Sequence, residues 1–270
     1  MKKYLPLVPF LLLAAATADA AAVMPHRAIY DLTLMRSAEG SALQSASGRL
    51  AFEIQGSACE GWSVSFRMAT KYRPAEGQAT LIDTQTTSYE GPGSLDFRHQ
   101  LKEVINGEAK PEVKIKMSRP DKDAGGQGEI MSKDGETFDV PANAALPMQH
   151  QIRLMTLGEA GGGRDSSLVF DGSDEAKTFR AISFVGKEKA PGSILRDTQN
   201  PAAAALKDVG AWPMTISYFP AEGGDEIPQY QVTFDMYANG VASGLVLDYG
   251  DFALTGTLTE LQMMEAAECP

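Results

Sequence analysis

The chain has 270 residues, with 24 Lys and Arg against 35 Asp and Glu, and a formal net charge of −11. Charged residues make up 22% and hydrophobic ones 43%, an ordinary globular mixture that argues against wholesale disorder and against a multi-pass membrane protein. So acidic a chain lacks the electrostatic footprint for nucleic acid, and anionic lipid headgroups repel it on average.

The first twenty residues read as an address. Lys2 and Lys3 form a positive patch, an apolar run follows from Tyr4 to Ala16, and Ala16-Thr17-Ala18, Ala18-Asp19-Ala20 and Ala20-Ala21-Ala22 offer small-residue cleavage sites. The run is short for a membrane span and holds Pro6 and Pro9. The expectation is a signal peptide over residues 1–20, cut after Ala20 or Ala22, and one domain over residues 21–270. No cysteine sits near the cut to carry a lipid, and no later stretch is apolar enough for a transmembrane anchor. The expected product is a soluble exported protein of the periplasm or the cell exterior.

Period-two alternation then recurs along the chain. Ala28, Tyr30, Leu32 and Leu34 face one way while Asp31 and Thr33 face the other. Trp62, Val64, Phe66 and Met68 alternate with Ser63, Ser65 and Arg67. Val113, Ile115 and Met117 alternate with Lys114, Lys116 and Ser118. Each pattern suits an antiparallel strand with one buried and one wet face. Glu90-Gly91-Pro92-Gly93, Asn106-Gly107 and Asp134-Gly135 supply turns, and the polar stretch Asp121–Gly128 reads as a flexible loop.

From Asn143 to Leu157 the spacing becomes helical, with apolar Leu146, Ile152, Leu154, Met155 and Leu157 at helical intervals. Pro147 fits only the first turn of such a helix, Gly158 is the expected C-cap, and Gly161-Gly162-Gly163 closes the segment. The densest acidic cluster, Asp171-Gly172-Ser173-Asp174-Glu175, reads as an Asx-type turn after the strand Leu168–Phe170 rather than a calcium loop, because the EF-hand spacing is missing. A second short helix is expected over Pro201–Lys207, capped by Asn200. Tyr230, Val232, Phe234 and Met236 alternate with Gln231, Thr233 and Asp235, and Asn239-Gly240 signals a type I′ hairpin. Tyr249-Gly250-Asp251 divides the last stretch into two strands, and Asp248, Tyr249 and Asp251 read as a polar turn. More than ten short strands and one main helix make an all-β sandwich, barrel or curled sheet.

Little chemistry stands out. Cys59 and Cys269 are the two cysteines, and in an oxidising compartment an even count favours a disulfide over two free thiols. The loop between them spans most of the chain, which in the chain-entropy model corresponds to roughly 5 kcal/mol. Two thiolates without clustered histidines do not make a zinc site, and a redox Cys-x-x-Cys is absent. His26, His99 and His150 show no metal-ligand spacing. Gly-x-Ser-x-Gly, Ser-x-x-Lys, a phosphate loop and a dinucleotide fingerprint are all missing, so neither a catalytic residue nor a cofactor is assigned.

Taken together, Pro25-His26-Arg27-Ala28-Ile29-Tyr30-Asp31-Leu32, Cys59-Glu60-Gly61-Trp62, Pro147-Met148-Gln149-His150, Asp171-Gly172-Ser173-Asp174, Trp212-Pro213, Tyr237-Ala238-Asn239-Gly240-Val241, Asp248-Tyr249-Gly250-Asp251-Phe252 and the terminal Cys269 resemble the envelope integrity protein B (EipB) family of Gram-negative α-proteobacteria. The resemblance covers essentially the whole mature chain. It implies a mainly β fold, a long antiparallel sheet curled into a β-spiral or broken barrel with one principal helix packed in its concavity. It also implies a periplasmic location, a single disulfide carried by Cys59 and Cys269, and a role in envelope integrity and stress resistance. The family has no established enzymatic activity.

Three readings compete. The first is a non-catalytic periplasmic factor that binds an apolar, lipid or peptide-like ligand, or an envelope protein, at its concave face. Its candidate contacts are Phe66, Met68, Met155, Tyr230, Phe234 and Met236. The second is an interaction module that docks an envelope protein of tetratricopeptide-repeat type on an outer edge. The third is a hydrolase of peptidoglycan or lipid using Asp171, Asp174 or His150, for which no motif supplies a nucleophile or an oxyanion hole.

Overall fold

The structure is a computed structural model that describes residues 22–193, 201–221, 227–267 and 269. The expected signal peptide and Asn200, the expected cap of the second helix, lie outside the described residues. The strands are β1 (His26–Ser37), β2 (Leu43–Ser57), β3 (Gly61–Pro74), β4 (Thr80–Glu90), β5 (Asp96–Ile105), β6 (Glu108–Ala109), β7 (Val113–Ser118), β8 (Gly126–Ile130) and β9 (Glu136–Val140). Then come β10 (Ala144–Ala145), the helix α1 (Pro147–Glu159), β11 (Gly163–Val169), β12 (Phe179–Val185), β13 (Ala211–Pro220), β14 (Tyr230–Tyr237), β15 (Ala242–Asp248) and β16 (Phe252–Met263).

All sixteen strands belong to one sheet, in the order β10-β11-β12-β13-β14-β15-β16-β1-β2-β3-β4-β5-β7-β8-β9, with β6 beside β5. Every pairing is antiparallel except the short β10–β11 pair. The first strand pairs with the last, from His26 opposite Met263 to Ser37 opposite Phe252. The middle of the chain therefore supplies both edges of the sheet.

Those edges meet at one seam. Only Pro141, Ala142 and Asn143 separate β9 from β10, yet the two strands sit at opposite ends of the strand order. Side chains close the gap that backbone pairing leaves. Phe97, Ile115, Met117 and Val140 from one side pack with Ala144, Leu146 and Phe170 from the other in one buried cluster. Phe170 lies edge-on to Phe97 at 5.8 Å and tilted against Phe138 at 5.5 Å. The Arg119 guanidinium donates to the Ala144 carbonyl across the gap at 2.7 Å. Lys133 and Glu175 add an ion pair at 2.6 Å.

The sheet is thus a nearly closed barrel, and α1 packs in its concavity. Met148, Leu154 and Met155 of the helix share a single core with Leu32, Ile54 and Trp62 on one side and Trp212 and Met214 on the other. The alternation read from the sequence sets this polarity. In β3, Ser63, Ser65 and Arg67 are exposed, while Trp62, Val64, Phe66 and Met68 turn inward.

Several local expectations shift. The helix starts at Pro147 instead of Asn143, because Ala144 and Ala145 are taken up as β10 beside β11. Gly158 is inside the helix, and Ala160 is the C-cap. A Cβ on Gly158 would lie 2.6 Å from Cδ2 of Trp212, so the glycine is there for close packing, not for termination. The expected loop Asp121–Gly128 ends early, since β8 begins at Gly126. The ring of Phe138 occupies the space a Cβ on Gly128 would need. At Asn239-Gly240 the hairpin forms, but only Gly240 has a positive φ, of 85°. The Gly240 amide donates to the Tyr237 carbonyl, so Asn239 is the third residue of the turn and the glycine follows it, unlike a type I′ turn. Asn106-Gly107 has both φ angles positive, at 53° and 86°, as a two-residue hairpin requires. Residues Pro201–Leu206 form a 3₁₀ turn, not an α-helix.

Candidate functional site: the inner wall of the barrel

The helix is fixed within the barrel by polar contacts along its N-terminal half. Its first turn leaves backbone amides without partners, and Pro147 removes one of them. Glu90, the last residue of β4, accepts from the Met148 amide at 2.8 Å and from the Gln149 amide at 3.0 Å. The Ser94 hydroxyl donates to the same carboxylate at 2.6 Å. Burial pushes the Glu90 carboxyl above the ordinary range, against these three hydrogen bonds and the nearby Arg119 charge, which favour the ionised form. Arg119 donates to Oε1 of Gln149 at 2.9 Å and to the Ser94 carbonyl at 2.7 Å. The Leu146 amide donates to the same Gln149 oxygen.

Farther along α1, His150 is buried against β11 and β12. Its Nε2 lies 3.4 Å from the Ser183 hydroxyl and 3.8 Å from Oδ2 of Asp165. Asp165 also accepts from the Ser167 hydroxyl at 2.6 Å and pairs with Arg153 at 2.7 Å. His150, then Ser167 and Arg153, hold the Asp165 carboxyl down at about 2, against its burial. The short contacts are those of Ser167 and Arg153.

This group has the residue types of a hydrolytic triad without its geometry. In a triad the serine meets Nε2 and the carboxylate meets Nδ1. Here serine and carboxylate approach the same nitrogen, and Ser183 is fully buried. The other two residues considered for hydrolysis lie elsewhere. Asp171 accepts from the Ser173 amide and hydroxyl in an Asx turn, at 2.9 and 2.7 Å, and Asp174 pairs with Lys177. Among the described residues, no group of three or more His, Cys, Asp or Glu is placed to hold a metal ion.

A row of aromatic rings lines the inner wall. Phe179 of β12 stands edge-on to Tyr218 of β13 at 6.4 Å, and Tyr218 stacks on Tyr230 of β14 at 5.9 Å. Tyr230 meets Tyr249 at 5.2 Å, Tyr249 stacks on Phe252 of β16 at 4.9 Å, and Phe252 meets Tyr72 of β3 at 5.7 Å. Register explains the row. Tyr218 and Tyr230 are direct cross-strand partners, and Tyr249 and Phe252 flank the β15–β16 turn. All six rings are half-buried, and five of them pack against the main core. Burial pushes the phenols of Tyr218, Tyr230 and Tyr249 up, that of Tyr249 to about 12.

The six residues singled out from sequence divide in two. Phe66, Met68 and Tyr230 are half-buried on the inner face, with surface left to touch another molecule. Met155, Phe234 and Met236 are buried, packed into the core beneath. Sequence reasoning missed Tyr72, Phe179, Tyr218, Tyr249 and Phe252. Tyr249 read as part of a polar turn, yet it is Asp248 that fills the polar role, in a two-toothed pair with Arg36 at 2.8 Å.

Cys59, in the β2–β3 turn, is bonded to Cys269, 210 positions away in sequence. This bond lies at the opposite end of the barrel from the aromatic row, because β3 and β16 each run between the two.

The outer face is different in character. A groove of about 570 Å³ crosses it over Ser65, Thr87, Arg98, Gln100, Lys114 and Lys116. Lys114 pairs with Glu112 at 2.8 Å and Lys116 with Glu129 at 2.6 Å, so much of its positive charge is already compensated. No helix among the described residues is long and apolar enough to cross a membrane.

The sequence and fold were compared with known proteins. A family model described as EipB-like matches residues 17–265. The cell envelope integrity protein EipB of Brucella abortus (strain 2308) is 34% identical over 258 residues, which cover 94% of this chain and 89% of that protein. Among solved structures, the crystal structure of a beta-barrel-like protein with a domain of unknown function, also from Brucella abortus, matches with a TM-score of 0.82 and 31% identity, covering 91% of this chain and 100% of that one.

Proposed function

The chain belongs to the EipB-like family, and from that premise we propose that it supports envelope integrity in the periplasm without catalysis, by holding a ligand against the inner wall of its barrel. The observation that carries this reading is the row of six half-buried rings on the concave face. Ring faces left partly open inside a barrel are what a small-molecule site presents to its ligand. A cut after Ala20 or Ala22 would deliver the chain to the periplasm, and the Cys59–Cys269 bond suits an oxidising compartment. The similarity to the Brucella abortus cell envelope integrity protein supports the envelope role.

Native mass spectrometry of the protein taken gently from the periplasm, followed by solvent extraction, tests the reading. A stoichiometric small-molecule adduct is the expected result. A clean apo mass, together with a protein cross-linked to the chain in cells, would favour a second reading. In that reading the outer groove over Arg98 and Gln100 docks an envelope protein, of tetratricopeptide-repeat type or otherwise.

A further inference from the structure

The aromatic row does not end at Tyr72. Its direct cross-strand partner is Thr80, the first residue of β4. From Thr80 the inner-face positions of β4 carry Ile82, Thr84, Thr86 and Ser88, and end at Glu90 beneath the helix. Four hydroxyls thus follow the rings along a strand length of roughly 26 Å. All four residues are half-buried. Among the described residues, the hydroxyls of Thr80, Thr86 and Ser88 have no protein partner, and that of Thr84 only a 3.5 Å approach to Glu103. The phenols of Tyr218, Tyr230 and Tyr249 likewise lack a hydrogen-bond partner among the described residues.

We propose that this interior binds a neutral saccharide chain, its ring faces stacked on the aromatic row and its hydroxyls bonded to the β4 ladder. The assignment rests on the reading that the inner wall holds a ligand, and names the class. An alkyl chain laid along the same path would dry hydroxyls and phenols without offering them a hydrogen bond, an unfavourable exchange for each group left unpaired. A saccharide has both surfaces required, apolar C–H faces for the rings and a polar rim for the hydroxyls. The Glu103 carboxylate beside Thr84 sets the charge preference. It repels a fatty-acid carboxylate or a lipid phosphate, in a chain whose net charge is already −11.

The test is calorimetric titration of the disulfide-bonded chain lacking residues 1–20, with chitotetraose and cellotetraose as neutral probes and laurate as the competitor class. Saturable saccharide binding is expected, weakened at least tenfold by Tyr218→Ala and by Thr86→Val, and indifferent to laurate. Thr86→Val keeps the shape of a strand residue, so it serves if Tyr218→Ala fails to fold. Laurate binding lost in Tyr218→Ala, with no saccharide binding, would overturn the saccharide class and leave the interior as a ligand site. Binding of neither class would overturn the saccharide proposal, and an apo native mass beside it would take the interior-ligand reading down as well. Saccharide binding untouched by both substitutions would place the sugar elsewhere and also overturn it.

Discussion

Glu90 caps α1 from 58 residues away: its two carboxylate oxygens receive the amides of Met148 and Gln149. The helix therefore draws its N-terminal cap from a strand of the barrel instead of from its own lead-in, where Leu146 has no polar side chain to offer. A helix capped this way is positioned as well as stabilised.

Glu90→Ala should cost about 3 kcal/mol, since it strands two amides and removes the negative charge that acts most strongly on the buried Arg119. Glu90→Gln keeps one acceptor oxygen and should cost roughly half as much. Urea denaturation of the two variants checks the order.

Gly158→Ala should destabilise, although alanine is the better helix former by about 1 kcal/mol. The new methyl would meet the Trp212 ring at 2.6 Å. Overpacking of this kind costs about 1–3 kcal/mol, so the net sign is loss. The near-ultraviolet circular dichroism of the indole should change in the same variant.

Cys59→Ser or Cys269→Ser should lower stability by roughly 2–5 kcal/mol. Melting with and without reductant measures this directly, and the wild type in reductant should match the variants. Equal melting in both conditions would show that the bond contributes little.

Acid should loosen the helix from β11. The Asp165 carboxyl is depressed from the ordinary 3.8 to about 2, so its contribution is complete above 3.8 and disappears as the pH falls through about 2. The shift corresponds to roughly 2 kcal/mol. Asp165→Asn should flatten the stability profile between these limits and lower it at neutral pH, where Arg153 loses its 2.7 Å partner. Denaturation midpoints at four or five pH values decide it.

Much of the fold could be read in the order of the residues. The alternation of Trp62 to Met68 and of Tyr230 to Met236 names an inner and an outer face before any strand order is known. Pro147 marks the first turn of α1. The cysteine pair followed from the expectation of an oxidising compartment and from a count of two. What the sequence could not convey is register across strands distant in the chain. Tyr218 beside Tyr230 is a matter of pairing, and Phe252 beside Tyr72 depends on how far the sheet curls. The aromatic row stayed hidden because its members come from different strands, each unremarked alone. Phe234 and Met236 have the same alternating signature as Tyr230, so periodicity assigned all three to one face without separating filled core from open wall.

The pairing of β1 with β16 also dictates an order of events. The Thr259 hydroxyl reaches the Ile29 carbonyl across 230 residues of sequence. Contacts so remote are slow to form. A polypeptide made N-terminus first leaves the ribosome with β1 still lacking its β16 neighbour. It can zip β2 to β5 together as a hairpin series, but the barrel cannot be completed until the twelve residues of β16 have emerged. Synthesis and closure are thereby separated in time, and a chain stalled or truncated near its C-terminus would present β1 as an open, pairing-competent edge to whatever lies nearby.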